Sequence, residues 1–248
     1  MTGLFMLLGK NKMAISEQGK SIMLELKSVY KHYQSPETEN KIKVLEAIDL
    51  QVLKGESISI TGPSGSGKTT LLNICGTLDR PSFGEVEICG NKISSLLEVK
   101  LEGMRRRKIG FIFQQHHLLP QLSVLENVLL PALAINNIVD NETVERGRHL
   151  LDIAGLSKRV NHKPGELSGG ECQRTAVVRS LINCPEIILA DEPTGSLDYK
   201  TSEKISELLI EFKSRENLTL ILVTHADNLA RKMETHYILE KFRLKNET

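Results

Sequence analysis

The residues best suited to chemistry in this sequence are those of segment 62–69, which reads Gly-Pro-Ser-Gly-Ser-Gly-Lys-Thr. It fits the pattern G-x-x-x-x-G-K-[ST], in which glycines let the backbone curl until successive N–H groups point at one anion. Lys68 supplies a positive charge for the β- and γ-phosphates of a nucleotide, and the Thr69 hydroxyl suits Mg²⁺. The predicted phosphate-binding residues are Gly62, Pro63, Ser64, Gly65, Ser66, Gly67, Lys68, Thr69 and Thr70.

The residues on both sides of this loop support the same interpretation. Segment 57–61, Ser-Ile-Ser-Ile-Thr, alternates polar and apolar residues as a strand does, and segment 70–75 has the pattern of a first helical turn. A helix that starts at the loop adds the positive end of its dipole to the anion site. A glycine-rich turn can match the pattern by chance, but a strand before it and a helix after it favour phosphate binding.

Two adjacent acidic residues end an apolar run further along the chain. Segment 187–193 reads Ile-Ile-Leu-Ala-Asp-Glu-Pro, which predicts a buried strand with two carboxylates at its end. A carboxylate placed there, beside a phosphate-binding loop, suits Mg²⁺, and we assign this role to Asp191. Glu192 is then the candidate base for an attacking water molecule. The alternative is that both acids only cap the next turn. The phosphate-binding loop upstream favours the catalytic interpretation over this alternative.

A second candidate anion site lies in segment 167–174, Leu-Ser-Gly-Gly-Glu-Cys-Gln-Arg, which opens a predicted helix. Ser168 is a natural N-cap. Gly169 and Gly170 allow close approach of the backbone, and the first N–H groups of a helix have no partner within it. With Glu171, these residues form either an ordinary capped helix or a second phosphate contact in the same chain.

The composition limits the class of protein. The chain has 248 residues, 40% hydrophobic and 25% charged, enough for one large domain or a core with a subdomain. A net charge of +1 gives no sign of nucleic-acid binding. No apolar run approaches the length of a membrane span, so a membrane role requires a partner. The cysteines show no Cys-x-x-Cys spacing and are expected to be reduced, mostly buried thiols: Cys75, Cys89, Cys172 and Cys184.

The hydrophobic pattern predicts an α/β fold with three structural regions. Residues 1–22 are expected to be a loose extension, with an amphipathic membrane anchor as the alternative and Met23 as a candidate natural start. From there to about Cys89, short alternating runs predict an antiparallel β subdomain. Helical periodicity, interrupted at Pro120, Pro131 and Asn141, predicts a helical subdomain at about 116–168. Strands alternating with helices elsewhere predict a mixed or parallel core sheet.

Together these motifs resemble the ATP-binding-cassette (ABC) ATPases, which are P-loop NTPases, over nearly the whole chain from Met23. The Leu-Ser-Gly-Gly-Glu signature, which lies between the P-loop (62–69) and the acidic pair, is highly specific. By position, Tyr33 resembles the aromatic residue that stacks on adenine, and Gln114 resembles the Q-loop glutamine. Asp198 resembles the D-loop aspartate, and His225 resembles the switch histidine.

The resemblance implies that residues 23–248 form an ATPase domain that uses ATP and Mg²⁺. The implied catalytic residues are Lys68, Gln114, Glu192 and His225, and the implied metal-binding residues are Thr69, Gln114 and Asp191. It also implies a homodimer in which the P-loop of one subunit and segment 168–171 of the other enclose each ATP. The dimer is expected to drive integral membrane permease subunits from the cytoplasmic face of the inner membrane, without nucleic acid as a partner.

Segments 115–120, 122–128, 162–166 and 190–198, with Pro131, resemble the branch that includes the lipoprotein-releasing and macrolide-exporter ATPases. In that branch the permease transmits the movement of the ATPase to an extracytoplasmic domain. A cell-division ATPase of the same branch and a non-transport ABC ATPase are the alternatives. Leu118 and Leu119 are expected to line a permease groove or to belong to the core. Cys172 departs from the family, which usually has a long polar or basic side chain there.

Overall fold

The computed structural model describes residues 21–34 and 41–247. All but the last two residues of the predicted N-terminal extension lie outside these ranges. Two sheets organise the described chain, one of four strands and one of six. The fold is the predicted α/β type, with an antiparallel sheet on one side of a mostly parallel one.

The smaller sheet has the strand order β2-β1-β4-β5, and all its pairs are antiparallel. Its strands are β1 (Ile22–Gln34), β2 (Lys41–Leu53), β4 (Phe83–Ile88) and β5 (Asn91–Lys92). Leu24 and Leu26 of β1 are buried, and a shift in strand register places Val29, rather than Ser28, at the next buried position. The predicted antiparallel strands are confirmed.

The larger sheet has the order β10-β9-β3-β8-β7-β6 and is parallel except for its last strand, β10. Its strands are β3 (Ser57–Thr61), β6 (Ile109–Ile112), β7 (Ile187–Asp191), β8 (Thr219–Val223), β9 (Thr235–Glu240) and β10 (Arg243–Asn246). The central strands β8, β7 and β3 are buried over nearly their whole length, which explains their continuous apolar sequences.

The described chain contains seven α-helices. They are α1 (Lys68–Cys75), α2 (Glu98–Lys108), α3 (Val124–Asn136), α4 (Asn141–Ile153), α5 (Gly169–Leu181), α6 (Tyr199–Arg215) and α7 (Asp227–Ala230). Side-chain caps begin four of them, at Ser123, Asp140, Ser168 and Asp198. Each of these residues accepts a hydrogen bond from an N–H group that has no partner inside its helix.

The prediction that Pro131 interrupts the helical periodicity is wrong, because this residue lies inside α3. Proline in a helix interior removes one hydrogen bond and costs about 3 kcal/mol. Val124, Val128 and Ala132 form one buried face of α3, and the helix packs against α5. Burying each valine contributes about 1.5–3 kcal/mol, so packing of this face outweighs the lost hydrogen bond.

Asn127 ties the start of α3 to the loop before it. Its side chain is fully buried, and its Oδ1 accepts a hydrogen bond from Leu119 N at 2.8 Å. Its Nδ2 donates to the carbonyl oxygens of Leu119, Leu122 and Ser123 at 3.0–3.1 Å. The loop follows β6, so this asparagine fixes the backbone close to Gln114.

Asn127→Ala should lower the free energy of unfolding by about 2–3 kcal/mol, because buried backbone groups would lose their partners. Asn136→Ala makes the same chemical change at an exposed position of the same helix and should cost less than about 0.5 kcal/mol. Urea unfolding of both variants measures the difference. Equal losses would show that the buried hydrogen bonds of Asn127 do not carry the stability of this loop.

The turn between β3 and α1 requires a glycine at its first position. Gly62 has a φ of 142°, and a Cβ atom there would lie 2.3 Å from the carbonyl oxygen of Leu239 in β9. Gly65 has a φ of 75°, but a Cβ atom there would meet no atom within 4 Å. Gly62 is therefore constrained by conformation and by space, whereas Gly65 is constrained by conformation alone.

Gly62→Ala should destabilise the protein by about 2 kcal/mol or more, because backbone atoms of β9 must move to admit the methyl group. Gly65→Ala should cost only about 1 kcal/mol, the strain of a positive φ in a non-glycine residue. Urea midpoints of the two variants test this ranking. A loss at Gly65 as large as that at Gly62 would contradict it.

Candidate functional site

A cleft of about 670 Å³ lies at the carboxyl ends of the parallel strands, where α/β sheets bind ligands. Segments that follow β3, β6, β7 and β8 line it. The lining residues are Val44, Ser64, Gly65, Gly67, Lys68, Thr69, Thr70, Gln114, Asp191, Glu192, Gly195 and His225. The structure therefore brings the P-loop, the acidic pair, the glutamine and the histidine together.

Register explains why residues so far apart in sequence converge. In the sheet, Val223 of β8 pairs with Ile60 of β3 and with Asp191 of β7. Ala190 of β7 pairs with Ile112 of β6. The four strands therefore end at the same level, and the residues that follow each strand face one cleft.

Lys68 is the central charge of this cleft. Its Nζ donates to the carbonyl oxygens of Gly62 and Pro63, each at 2.9 Å, and lies 3.2 Å from His225 Nε2. An ammonium group can only donate, so Nε2 is the acceptor in this contact. Burial lowers the pKa of Lys68, although the carboxylates of Glu192 and Asp191 oppose this shift.

Asp191 ends β7 and points into the cleft beside the P-loop. Burial raises its pKa, while a hydrogen bond with the Thr69 side chain acts in the opposite direction. The neighbouring carboxylate of Glu192 also raises this pKa, and Lys68 lowers it. Burial outweighs the compensation that Thr69 and Lys68 give to the carboxylate of Asp191, as expected for a group that binds a cation.

Glu192 is held by the segment after β8. Its Oε2 accepts hydrogen bonds from Thr224 Oγ1 at 3.2 Å and from His225 N at 3.1 Å. Its Oε1 is buried and has no hydrogen-bond partner, although His225 Nε2 lies 3.3 Å away. Both facts agree if the lone pair of Nε2 accepts from Lys68, because Nε2 then has no proton for Glu192. One carboxylate oxygen is thus fixed and the other is free to accept a proton.

Gln114 follows β6 and lines the side of the cleft next to Asp191. Its Nε2 lies so close to Gly195 that a Cβ atom on this glycine would come within 3.1 Å of it. The backbone next to it is fixed by Gln173 of α5, whose Nε2 donates to Phe113 O at 3.0 Å. The amide of Gln114 is positioned to contact a ligand or metal in the cleft.

Tyr33 lies near the end of β1, beside the cleft but outside its lining. Its hydroxyl donates to Asp79 Oδ2 at 2.6 Å, and it also interacts with the Thr70 side chain at the start of α1. Tyr33 is 41% exposed, so its aromatic ring is accessible to a planar ligand.

The second predicted anion site lies outside the cleft. In the described chain, Ser168 caps α5 and Glu171 completes a capping box with it. Glu171 Oε1 also accepts from Arg159 Nε at 2.9 Å, and hydrogen bonding by Ser168 together with this ion pair lowers the pKa of Glu171 to about 2. The carboxylate is therefore used within its own chain, while the first N–H groups of α5, those of Gly169 and Gly170, have no acceptor within the helix.

Asp198 is the N-cap of α6 and lies next to α5, the signature helix that Ser168 caps. Its carboxylate accepts a hydrogen bond from Thr201 N at 3.1 Å. A Cβ atom on Gly170 would lie 2.3 Å from Thr201 Cγ2, so α5 and α6 meet closely at this point. Asp198, like the signature residues, does not line the P-loop cleft.

The structure also locates two leucines and four cysteines for which the sequence allowed predictions. Leu118 is buried and Leu119 is 47% exposed, so the two leucines divide between core and surface. Cys172 is buried and burial raises its pKa, which favours an unreactive thiol. Of the four cysteines, only Cys184 is exposed.

Sequence patterns missed three polar residues that hold the site. Thr224 fixes Glu192, Asp79 accepts from Tyr33, and Arg179 of α5 donates to the carbonyl oxygens of His116 and His117 at 2.7 Å. Of these three, only Thr224 could have been identified from the sequence, because it lies between a predicted buried strand and a candidate catalytic histidine.

Across the described residues, the structure contains no helix long and apolar enough to cross a bilayer. The groups of histidine, cysteine, aspartate and glutamate in these residues likewise include no set of three that could hold a metal. Any metal in the cleft would therefore need hydroxyl, amide or ligand oxygen atoms beside Asp191.

The sequence profile described as ABC transporter matches residues 45–195. The lipoprotein-releasing system ATP-binding protein LolD 1 of Rhodopirellula baltica is 48% identical over 217 residues, which cover 88% of this chain and 93% of that protein. LolD of Bacteroides thetaiotaomicron is 47% identical over 209 residues, covering 84% and 93%. A solved dimeric ATP-binding cassette in a post-hydrolysis state, bound to ADP and Pi, matches with a TM-score of 0.83 and 43% identity, covering 91% and 98%. The fold, the cleft and these similarities agree, and the chain belongs to the ABC transporter family.

Proposed function

We propose that this chain is the ATP-hydrolysing subunit of an ABC transporter and that it drives a separate membrane permease of the lipoprotein-releasing type. The observation that carries the proposal is the arrangement of Lys68, His225 and Glu192 in one cleft, where His225 Nε2 lies 3.2 Å from Lys68 Nζ and 3.3 Å from Glu192 Oε1. A phosphate group bound at Lys68 therefore has an acceptor for a water proton in the same cleft.

The triphosphate of ATP binds along the P-loop. Backbone N–H groups at the start of α1 face the anion, and the helix dipole adds to their attraction. In the ligand-free chain, Lys68 donates to the neutral oxygens of Gly62 and Pro63. A phosphate oxygen is a stronger acceptor than these carbonyl groups, so binding strengthens the hydrogen bonding of a buried cation.

The donor set beside the P-loop fits Mg²⁺. This ion prefers oxygen ligands, and its usual site in such enzymes combines one carboxylate and one hydroxyl with phosphate oxygens and water. Asp191 and Thr69 supply this pair, and Gln114 adds an amide oxygen nearby. The raised pKa of Asp191 supports the assignment, because an uncompensated carboxylate gains from a bound cation. When bound, the metal would neutralise charge on the phosphates.

Glu192 acts as the base in hydrolysis. Oε1 accepts a proton from water while the water oxygen attacks the γ-phosphorus, and the bond to the oxygen that bridges the β- and γ-phosphates breaks. The products are ADP and phosphate. Thr224 and the backbone of His225 hold the other oxygen of Glu192, which keeps the carboxylate aimed at the cleft. Lys68 stabilises charge on the transferred group, and His225 does so when Lys68 has turned to the phosphate and Nε2 carries a proton.

Two such chains form the working unit. The P-loop cleft is open to solvent, while Ser168, Gly169 and Gly170 present N–H donors elsewhere on the same chain. In a two-fold dimer, the signature residues and Asp198 of one chain cover the ATP held by the other, which gives two equivalent sites. Because ATP joins the two surfaces, hydrolysis and loss of phosphate loosen the dimer.

The names of the relatives, ATP-binding proteins of lipoprotein-releasing systems, support a membrane partner. We assign this chain to the cytoplasmic face of the inner membrane, bound to its permease. The loop after Gln114 is the proposed contact, because it joins the cleft to the helical region and exposes Leu119. Movement at the nucleotide thereby reaches the permease.

Glu192→Gln should reduce ATP hydrolysis on the order of 10²- to 10⁴-fold, because the amide cannot take a proton from water. ATP binding should persist, so the variant should accumulate as a dimer with MgATP, measured by light scattering after gel filtration. Glu207→Gln, at an exposed position of α6, makes the same change away from the cleft and should behave as wild type.

The ATP-bound Glu192→Gln dimer also tests the identity of the membrane partner. Used as bait in detergent-solubilised native membranes, it should retain a permease with a large extracytoplasmic domain, identified by mass spectrometry. Normal turnover of Glu192→Gln would reject the assignment of the base. Recovery of ribosomal or DNA-handling proteins, with no membrane protein, would reject the transport function and leave an ATPase.

Asp191→Asn should stabilise the metal-free protein at pH 7 while abolishing magnesium-dependent hydrolysis. Because the folded state raises the pKa of Asp191, it binds this proton more tightly than the unfolded chain, and stability falls as the pH rises above the unfolded value. Asparagine does not ionise, so the variant avoids this loss of stability. Its free energy of unfolding at pH 7 should exceed that of the wild type by about 1 kcal/mol or less.

The gain should shrink as the pH is lowered from 7 toward 4, because the folded wild type takes up a proton at Asp191 more readily than the unfolded chain does. Urea unfolding at both pH values, without nucleotide or metal, measures it. The exposed Asp227→Asn serves as the control and should show no such trend. An Asp191→Asn protein less stable than wild type at pH 7 would show that the carboxylate is structural.

A further inference from the structure

A cluster of charged and aromatic side chains lies beside the P-loop helix, outside the residues that line the cleft. Lys31 and Tyr33 are two positions apart on β1, so their side chains share one face of the strand. Asp79 follows α1 and joins them: its Oδ1 accepts from Lys31 Nζ and its Oδ2 accepts from the Tyr33 hydroxyl, both at 2.6 Å. Lys31 also donates to Arg80 O at 2.8 Å. All three side chains are thus connected through one carboxylate.

The cluster restrains the Tyr33 ring at two points. The hydroxyl is held by Asp79, and Lys31 Nζ lies 4.6 Å from the ring centroid, a cation–π contact. Lys31 is buried, with 8% of its surface exposed, whereas Tyr33 is 41% exposed. The cation therefore covers the ring from the protein side, and the rest of the ring surface remains open to a ligand.

The charges of the cluster are stable near neutral pH. Burial raises the pKa of Asp79, but hydrogen bonds from Lys31 and Tyr33 outweigh it and leave this pKa below its usual value. Burial, together with the bond to Asp79, raises the pKa of Tyr33. The carboxylate therefore stays ionised and the phenol stays protonated, which keeps the hydrogen bond between them.

We propose that Asp79 and Lys31 are positioning residues that hold the Tyr33 ring for stacking on the base of ATP, an inference that rests on the proposed ATPase function. An unrestrained tyrosine at the end of a strand would lose side-chain freedom when a base stacked on it. Fixing the ring in the free protein removes this cost from binding. Because its hydroxyl is committed to Asp79, the ring recognises the face of the base.

A purely structural role is the competing explanation, since Asp79 also links β1 to the segment after α1. The two roles differ in one respect. A structural role affects ATP affinity whether or not the ring is present, whereas a positioning role acts only through Tyr33. A double-mutant cycle separates them.

The experiment measures MgATP binding by calorimetry on the full chain and three variants: Asp79→Asn, Tyr33→Ala and the double variant. Asp79→Asn should weaken ATP binding by about five- to tenfold, because the ring loses its orientation. In the Tyr33→Ala background, the same change should have almost no further effect. Ribose 5′-triphosphate lacks the base, and its affinity should change by less than about twofold in every variant.

Three results would overturn the proposal: no loss of ATP affinity in Asp79→Asn, an equal loss in the Tyr33→Ala background, or an equal loss for ribose 5′-triphosphate. Tyr33→Phe keeps the ring and the cation, removes only the hydroxyl, and guards against misfolding of Asp79→Asn. It should bind ATP about threefold more weakly, and wild-type affinity would also reject the proposal. Failure of the wild-type chain to bind ATP would instead reject the proposed function.

Discussion

The burial of the Lys68 ammonium group at the carboxyl end of a parallel sheet is the constraint on which the rest of the site depends. A buried cation needs acceptors, and the ligand-free chain provides two backbone carbonyls and the Nε2 of His225. None of these carries a full negative charge, and burial lowers the pKa of Lys68. The carbonyl groups of Gly62 and Pro63 and the lone pair of His225 Nε2 meet this requirement with neutral partners.

Two carboxylates beside Lys68 have the opposite requirement. Glu192 Oε1 is buried and accepts no hydrogen bond from the described residues, and burial raises the pKa of Asp191. A buried group without a partner costs about 1–3 kcal/mol. Both carboxylates line the cleft with Lys68, where a cation bound together with a phosphate would compensate their charge.

The chemistry of the cleft could be predicted from sequence because its main residues follow directly from buried strands. The P-loop follows β3, Asp191 ends β7 and His225 follows β8. The apolar runs in the sequence therefore locate these residues at strand ends, and parallel pairing of the strands predicts that they meet. The supporting residues could not be predicted in this way. Asp79 and Arg179 act on atoms far away in sequence, in Tyr33 and in the loop after Gln114, and no local pattern specifies these contacts. The prediction at Pro131 is wrong for a related reason: the packing of α3 on α5 outweighs the tendency of proline to end a helix.

The signature helix shows how one chain can carry two phosphate-binding devices that do not compete. Glu171 is bound to Ser168 and Arg159 of its own chain, so its negative charge is compensated before any nucleotide approaches. What α5 then offers to a partner is the positive end of its dipole and the N–H groups of Gly169 and Gly170. Lys68 and these donors lie in different regions of the chain, so neither set can enclose a triphosphate alone. Two-fold pairing is the simplest arrangement that brings them together, and it makes the stability of the dimer depend on the γ-phosphate that the cleft is built to remove.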